Sequence, residues 1–157
     1  MKKTNFQPLW RFLFLLYCAV MLWLLFGRSQ GWVDGLSYRQ MLRQNMNLQP
    51  FFTIRNYLTV VLEGTNPSVF SHCLINLLGN VLLFIPAGFL FPRLFPKLRN
   101  FFLFFILCFL IMGFIELLQL FTLLGSFDVD DLILNLFGML IGYLVCILIV
   151  KKPKKAR

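Results

Sequence analysis

Apolar residues dominate four long stretches of the chain, and most polar residues lie between those stretches. Each stretch has about the 20 residues that an α-helix needs to cross the hydrocarbon core of a bilayer. The stretches cover about residues 9–27, 69–91, 101–124 and 132–150. The pattern therefore predicts an all-α fold, a polytopic membrane bundle of four transmembrane helices that forms one integral membrane domain over residues 1–157.

A fifth segment, about residues 50–63, has a different pattern. It is too short and too polar to cross a bilayer, but Phe51, Ile54, Leu58 and Val61 recur at helical spacing. Such an amphipathic helix is typical of a segment that lies in the membrane interface. We predict an interfacial helix here, and a re-entrant segment is the alternative.

Composition supports the same class of protein. Of the residues, 59% are hydrophobic and 13% are charged, whereas soluble domains are about half apolar and a quarter charged. A net charge of +9 would suggest nucleic acid as the partner of a soluble protein. In a membrane protein the position of the charges matters more, so we expect the lipid bilayer as a partner and no nucleic acid.

The first span could instead be a cleaved signal peptide, because Lys2, Lys3 and Arg11 resemble a basic leader region. Its apolar part is longer than in most signal peptides, and no A-x-A cleavage site follows it. We therefore predict a span that is not removed.

Basic residues predict the orientation. They lie in the N-terminal segment, in the connection "PRLFPKLRN" and in the tail "KKPKKAR". An even number of spans places all three on one face, which the positive-inside rule assigns to the cytoplasm. The loop on the other face also holds four arginines, but five of the six acidic residues lie on that side as well: Asp34, Glu63, Asp128, Asp130 and Asp131. We predict a multi-pass membrane protein with both termini in the cytoplasm.

Polar side chains recur at similar depth in the second, third and fourth spans. A charged side chain facing lipid costs about 2.5–3.5 kcal/mol at a helix centre, so we expect these residues to face one another. The predicted polar cavity, open to the outside, is formed by Asn76, Asn80, Glu116, Gln119, Asp128, Asp131 and Asn135.

Each of these residues also has a purely structural interpretation. Aspartates at the start of the fourth span can cap free helical amides, and the asparagines can join helices at about 0.6 kcal/mol each. Glu116 lies inside a span and is by default a functional hypothesis, although it could pair with Arg55. Gln119 is expected to hydrogen-bond with Glu116.

Glycines predict where helices approach closely. Two of them are four residues apart on the seam that holds Asp131 and Asn135, as in G-x-x-x-G. Two others lie next to polar positions of the second and third spans. The predicted packing glycines are Gly79, Gly113, Gly138 and Gly142.

The sequence provides no recognisable metal-binding or redox motif. His72 is the only histidine, and the four cysteines show neither C-x-x-C spacing nor a disulfide framework. We predict no metal and no cofactor, and we assign no catalytic residue.

Four segments, taken in order, resemble the motifs of the VanZ-like family: "NLQPFFTI", "INLLGNVLLFIPAGFLFP", "GFIELLQL" and "GSFDVDDLILNLFGMLIGY". Many members have an arginine near the start of the last motif, where this chain has Leu124, Gly125 and Ser126. The family is named for a bacterial protein associated with resistance to teicoplanin. The resemblance implies a bacterial cell-membrane protein that acts at the envelope, but it implies no particular reaction.

Three functions are compatible with these features. The protein could bind a lipid-linked wall precursor or another envelope component, or a lipoglycopeptide antibiotic. It could be a membrane enzyme for lipid-linked substrates, with Glu116 and Asp131 as acid and base. It could also be a small transporter. We favour binding and leave the oligomeric state open.

Overall fold

The computed structural model describes residues 6–27, 33–64 and 66–150. The predictions that concern Lys2, Lys3, Arg28 and the basic tail therefore fall outside the described residues. The described chain forms six α-helices: α1 (Gln7–Phe26), α2 (Tyr38–Gln44), α3 (Phe52–Glu63), α4 (Pro67–Leu94), α5 (Phe101–Thr122) and α6 (Val129–Ile149). A 3-10 helix (Pro96–Arg99) joins α4 to α5, and two short strands, β1 (Met46–Asn47) and β2 (Phe127–Asp128), pair in parallel.

Helices α1, α4, α5 and α6 are long and apolar enough to cross a membrane. The predicted all-α, multi-pass class is thereby confirmed. The helix boundaries move by a few residues because of local caps. Asn66 accepts a hydrogen bond from the backbone N–H of Ser68 and starts α4 early, and Asp128 does the same for Asp130 at the start of α6.

Helices α4 and α6 form the closest pair in the bundle. A Cβ atom at Gly138 would lie 2.1 Å from the carbonyl oxygen of Val81, and one at Gly142 would lie 2.0 Å from that of Ile85. These contacts advance by four residues on both helices, so α4 and α6 run parallel. Gly88 completes the contact, since a Cβ there would lie 1.9 Å from a backbone oxygen of α6.

The other two predicted packing glycines have a different environment. A Cβ atom at Gly79 or Gly113 would meet no atom within 4 Å. These residues therefore do not mark a close approach of two backbones, which is a correction to the expectation. Gly79 is nine residues before Gly88 and so lies on the opposite side of α4 from the α4–α6 contact. Gly113 belongs to α5 and is not part of that contact.

Helix α1 is peripheral, with Met21 as its only buried residue among those described. Two side-chain hydrogen bonds hold it to the bundle. The Tyr17 hydroxyl donates to the Leu83 carbonyl oxygen of α4 at 3.0 Å. The neighbouring Leu82 carbonyl has no helical N–H donor, because the residue four positions later is Pro86. The amide Nε2 of Gln119 donates to the carbonyl oxygen of Leu25 at 2.9 Å.

Candidate functional site

Four carboxylates meet where α3, α5 and α6 come together, and we call Glu116, Asp128, Asp130 and Asp131 the acidic cluster. The exposed fractions of the first three side chains are 4%, 8% and 0%, whereas Asp131 is only partly buried. Buried carboxylates need hydrogen-bond donors because burial removes their water. The donors within the described chain explain how the cluster is built.

Asp130 fastens the start of α3. Its Oδ1 accepts a hydrogen bond from the backbone N–H of Phe51, and its Oδ2 accepts one from that of Ile54 at 3.0 Å. Helix α3 has no capping side chain of its own, and Phe51 at its N-cap is in the left-handed region with φ 64°. The acceptor for its free amides therefore comes from another helix.

The position of Asp130 at the start of the fourth span indicates a capping role as one interpretation, and Asp130 is not among the predicted cavity residues. One signal could have revealed its partner. The segment "QPFFT" begins a helix without Ser, Thr, Asp or Asn at the N-cap, so its amides need an acceptor from elsewhere.

Asp128 joins three elements. Its carboxylate accepts hydrogen bonds from the backbone N–H of Asp130 at 2.8 Å, from the Thr53 hydroxyl at 2.6 Å and from the Asn47 amide at 3.3 Å. The predicted capping role of Asp128 is thus present. The same side chain also ties β1 and α3 to the start of α6.

Glu116 accepts a hydrogen bond from the backbone N–H of Asp128 at 3.3 Å and so ties α5 to the start of α6. Arg55, its suggested partner, is exposed on α3. Gln119 is also a correction, because the hydrogen bond that its amide donates goes to Leu25 in α1. Two side chains three residues apart on an α-helix point in directions that differ by about 60°. Glu116 therefore faces α6, whereas Gln119 faces α1.

The partly exposed side of the site lies on α4 and α6, and we call Asn76, Asn80 and Asp131 the Asp131 face. Asn80 Nδ2 donates to Asp131 Oδ1, and it lies 3.5 Å from Asn76 Oδ1. One turn below Asp131, Asn135 is 4% exposed. Its Oδ1 has no hydrogen-bond partner in the described part of the chain.

Two aromatic residues flank the Asp131 face. Tyr57 of α3 and His72 of α4 meet edge to face, with ring centroids 6.1 Å apart. Burial raises the pKa of the Tyr57 hydroxyl, and the neighbouring Cys73, Asp131 and Asp128 raise it further. Tyr57 thus lies within electrostatic reach of the acidic cluster, a position that the sequence pattern did not indicate.

Direct hydrogen bonds join the predicted site residues in two sets. Asn76, Asn80 and Asp131 form one set, and Glu116 with Asp128 forms the other. The described residues contain no group of three or more His, Cys, Asp or Glu that could hold a metal ion. A polar cavity beside the Asp131 face stays a prediction.

The comparisons with known proteins agree with the sequence motifs. The family model described as VanZ/LLP1 matches residues 14–150. No curated protein and no solved structure matches the chain.

Proposed function

The chain belongs to the VanZ-like family, and we propose that it is a binding protein of the bacterial cell membrane. In this proposal the Asp131 face engages the headgroup of a lipid-linked cell-envelope component, and this binding lowers susceptibility to glycopeptide antibiotics such as teicoplanin. Both termini lie in the cytoplasm, and α3 lies in the outer membrane interface beside the bound headgroup.

One observation carries the proposal, namely the partial exposure of Asp131. Asn80 donates to Oδ1 of this carboxylate, and the described residues supply no donor to Oδ2. A carboxylate at headgroup depth with a free oxygen is suited to hydroxyl, amide or ammonium donors. The amides of Asn76 and Asn80 add both donors and acceptors beside it.

The alternative of a membrane enzyme receives less support from the same contacts. Acid–base catalysis requires a carboxyl group within hydrogen-bond reach of the substrate. Glu116 is 4% exposed and accepts the backbone N–H of Asp128. That position suits a residue that holds two helices together, so we place Glu116 in the support of the site and Asp131 at its surface.

The test uses a bacterial strain that lacks the gene and carries it again on a plasmid. Asp131→Asn keeps an oxygen that can accept from Asn80 but removes the charge, and Asp34→Asn removes an exposed acid of the segment before α2. Teicoplanin susceptibility and the pool of lipid-linked wall precursors are measured, with membrane-fraction levels of each variant.

We expect the wild type and Asp34→Asn to restore both readouts and Asp131→Asn to leave them as in the deletion strain. If the wild type changes neither readout, the envelope function is wrong. If Asp131→Asn restores both at equal protein level, the Asp131 face is not the binding site.

A further inference from the structure

Positive charge collects at the end of the bundle opposite the acidic cluster. Arg11 of α1, Arg93 of α4, and Lys97 and Arg99 of the 3-10 helix lie there. The sequence has only six acidic residues. Four of them form the acidic cluster, and the other two lie in the segment 33–64, which the bonds of Asp128 and Asp130 hold to that cluster. Among the described residues, therefore, no Asp or Glu side chain lies at this basic end.

The four cations differ in what they contact. Arg93 lies over the ring of Trp10, 5.2 Å from its centroid, and Arg99 donates its Nε–H to the Pro92 carbonyl oxygen at 3.3 Å. Arg11 and Lys97 instead line two neighbouring grooves on the surface of the bundle. Neither side chain forms a hydrogen bond or ion pair with another described residue, so both charged groups are free to reach a ligand beside the grooves.

The larger groove lies between α1, α4 and α5 and has a volume of about 430 Å³. Apart from Lys97 it is lined by apolar side chains, among them Phe14, Phe91, Leu103 and Leu107. The second groove, about 380 Å³, holds Arg11 and shares Phe14 with the first. The grooves exist because α1 contacts the bundle along only part of its surface.

We infer that this end of the bundle binds one anionic phospholipid. Its acyl chain lies in the groove lined by Phe14, Phe91 and Leu107, and its phosphate lies between Arg11 and Lys97. The groove opens toward the acyl region of the bilayer, where a lipid chain is the available apolar occupant. Basic pockets between transmembrane helices bind anionic headgroups, and a guanidinium can hold a phosphate through two hydrogen bonds.

The test measures lipid binding to the purified full chain in detergent by native mass spectrometry, with phosphatidylglycerol and phosphatidylcholine of the same acyl chains. The double variant Arg11→Gln, Lys97→Gln removes both charges. The double variant Arg39→Gln, Arg43→Gln is the matched control, because it removes two charges from α2 at the other end.

We expect the wild type to bind phosphatidylglycerol more tightly than phosphatidylcholine. A charge near the membrane surface contributes about a fivefold change in affinity. The variant that lacks the charges of Arg11 and Lys97 should therefore lose affinity by about 25-fold, and the control should lose less than about twofold. Equal binding of the two lipids, or an equal loss in the control, would overturn the site.

A third variant tests the position of the acyl chain. Leu107→Trp fills the groove and leaves both cations in place, so it should weaken phosphatidylglycerol binding as strongly as the loss of the charges. Unchanged binding would contradict the assignment of the chain to this groove. Because the site lies opposite the Asp131 face, either result is independent of the proposed function.

Discussion

Replacing Asp130 with alanine should detach the start of α3 while the spanning helices stay folded. The side chain is fully buried and accepts the backbone N–H groups of Phe51 and Ile54. A hydrogen bond to a charged group contributes about 1.5–3 kcal/mol. We take the lower value for each bond, because the freed amides can reach water and because removing one of four neighbouring carboxylates relieves repulsion. The local loss is then about 3 kcal/mol.

Hydrogen exchange measured by mass spectrometry can detect this loss helix by helix. A loss of about 3 kcal/mol should speed the exchange of α3 amides by roughly a hundredfold, since 1.4 kcal/mol is tenfold. Asp130→Asn keeps one acceptor oxygen and should show about a tenfold increase. Asp34→Ala, which removes an exposed acid before α2, is the control and should leave α3 unchanged.

Two results would refute this account of Asp130. If the α3 amides exchange equally in Asp130→Ala and Asp34→Ala, the two hydrogen bonds do not hold the helix. If the amides of α5 and α6 accelerate as much as those of α3, Asp130 stabilises the whole bundle and does not specifically dock α3.

Two further predictions concern the bundle itself. Gly138→Ala should lower the unfolding temperature in detergent, because the added Cβ would lie 2.1 Å from a carbonyl oxygen; overpacking of this kind lowers the free energy of unfolding by about 1–3 kcal/mol. Gly113→Ala has open space for its Cβ and should leave the free energy of unfolding unchanged or raise it by about 0.5–1 kcal/mol. Equal effects of the two substitutions would contradict the packing assignment. Glu116→Gln keeps an oxygen that can accept the backbone N–H of Asp128, so this variant should give the wild-type readouts in the teicoplanin assay. Glu116→Leu has no acceptor and should unfold at a lower temperature. Loss of function in a stable Glu116→Gln protein would favour an enzyme.

The class of fold was predictable because it depends on a property of each segment alone. A run of about 20 apolar residues is favourable in hydrocarbon wherever its neighbours lie, and all four predicted spans are present. The seam through Gly138 and Gly142 was predictable for a similar reason, since spacing on a helix determines which residues share a face. The capping role of Asp128 was also predictable, because a capping side chain accepts a hydrogen bond from a backbone N–H two residues later in the same chain segment.

The errors concern residues whose role depends on a second helix. The sequence predicts a helix-packing role for both Gly79 and Gly138, but only Gly138 lies against the backbone of another helix. Gln119 was paired with Glu116 because both lie in α5, but the rotation between them sends Gln119 to α1. The position of Asp130 indicates a local cap as one interpretation, but the amides that it binds precede it by more than 75 residues.

The sequence by itself determined that the chain has four helices long and apolar enough to cross a membrane and that the acidic residues lie toward one end of the bundle. The hydrophobicity and charge of a segment depend only on its own residues, so both can be calculated without knowing how the helices pack. The tertiary structure alone decided that Asp130 holds α3, that Glu116 supports Asp128, and that Asp131 stays partly exposed. Hydrogen bonds act over about 3 Å, and only the packing of α3, α5 and α6 brings those atoms within that distance.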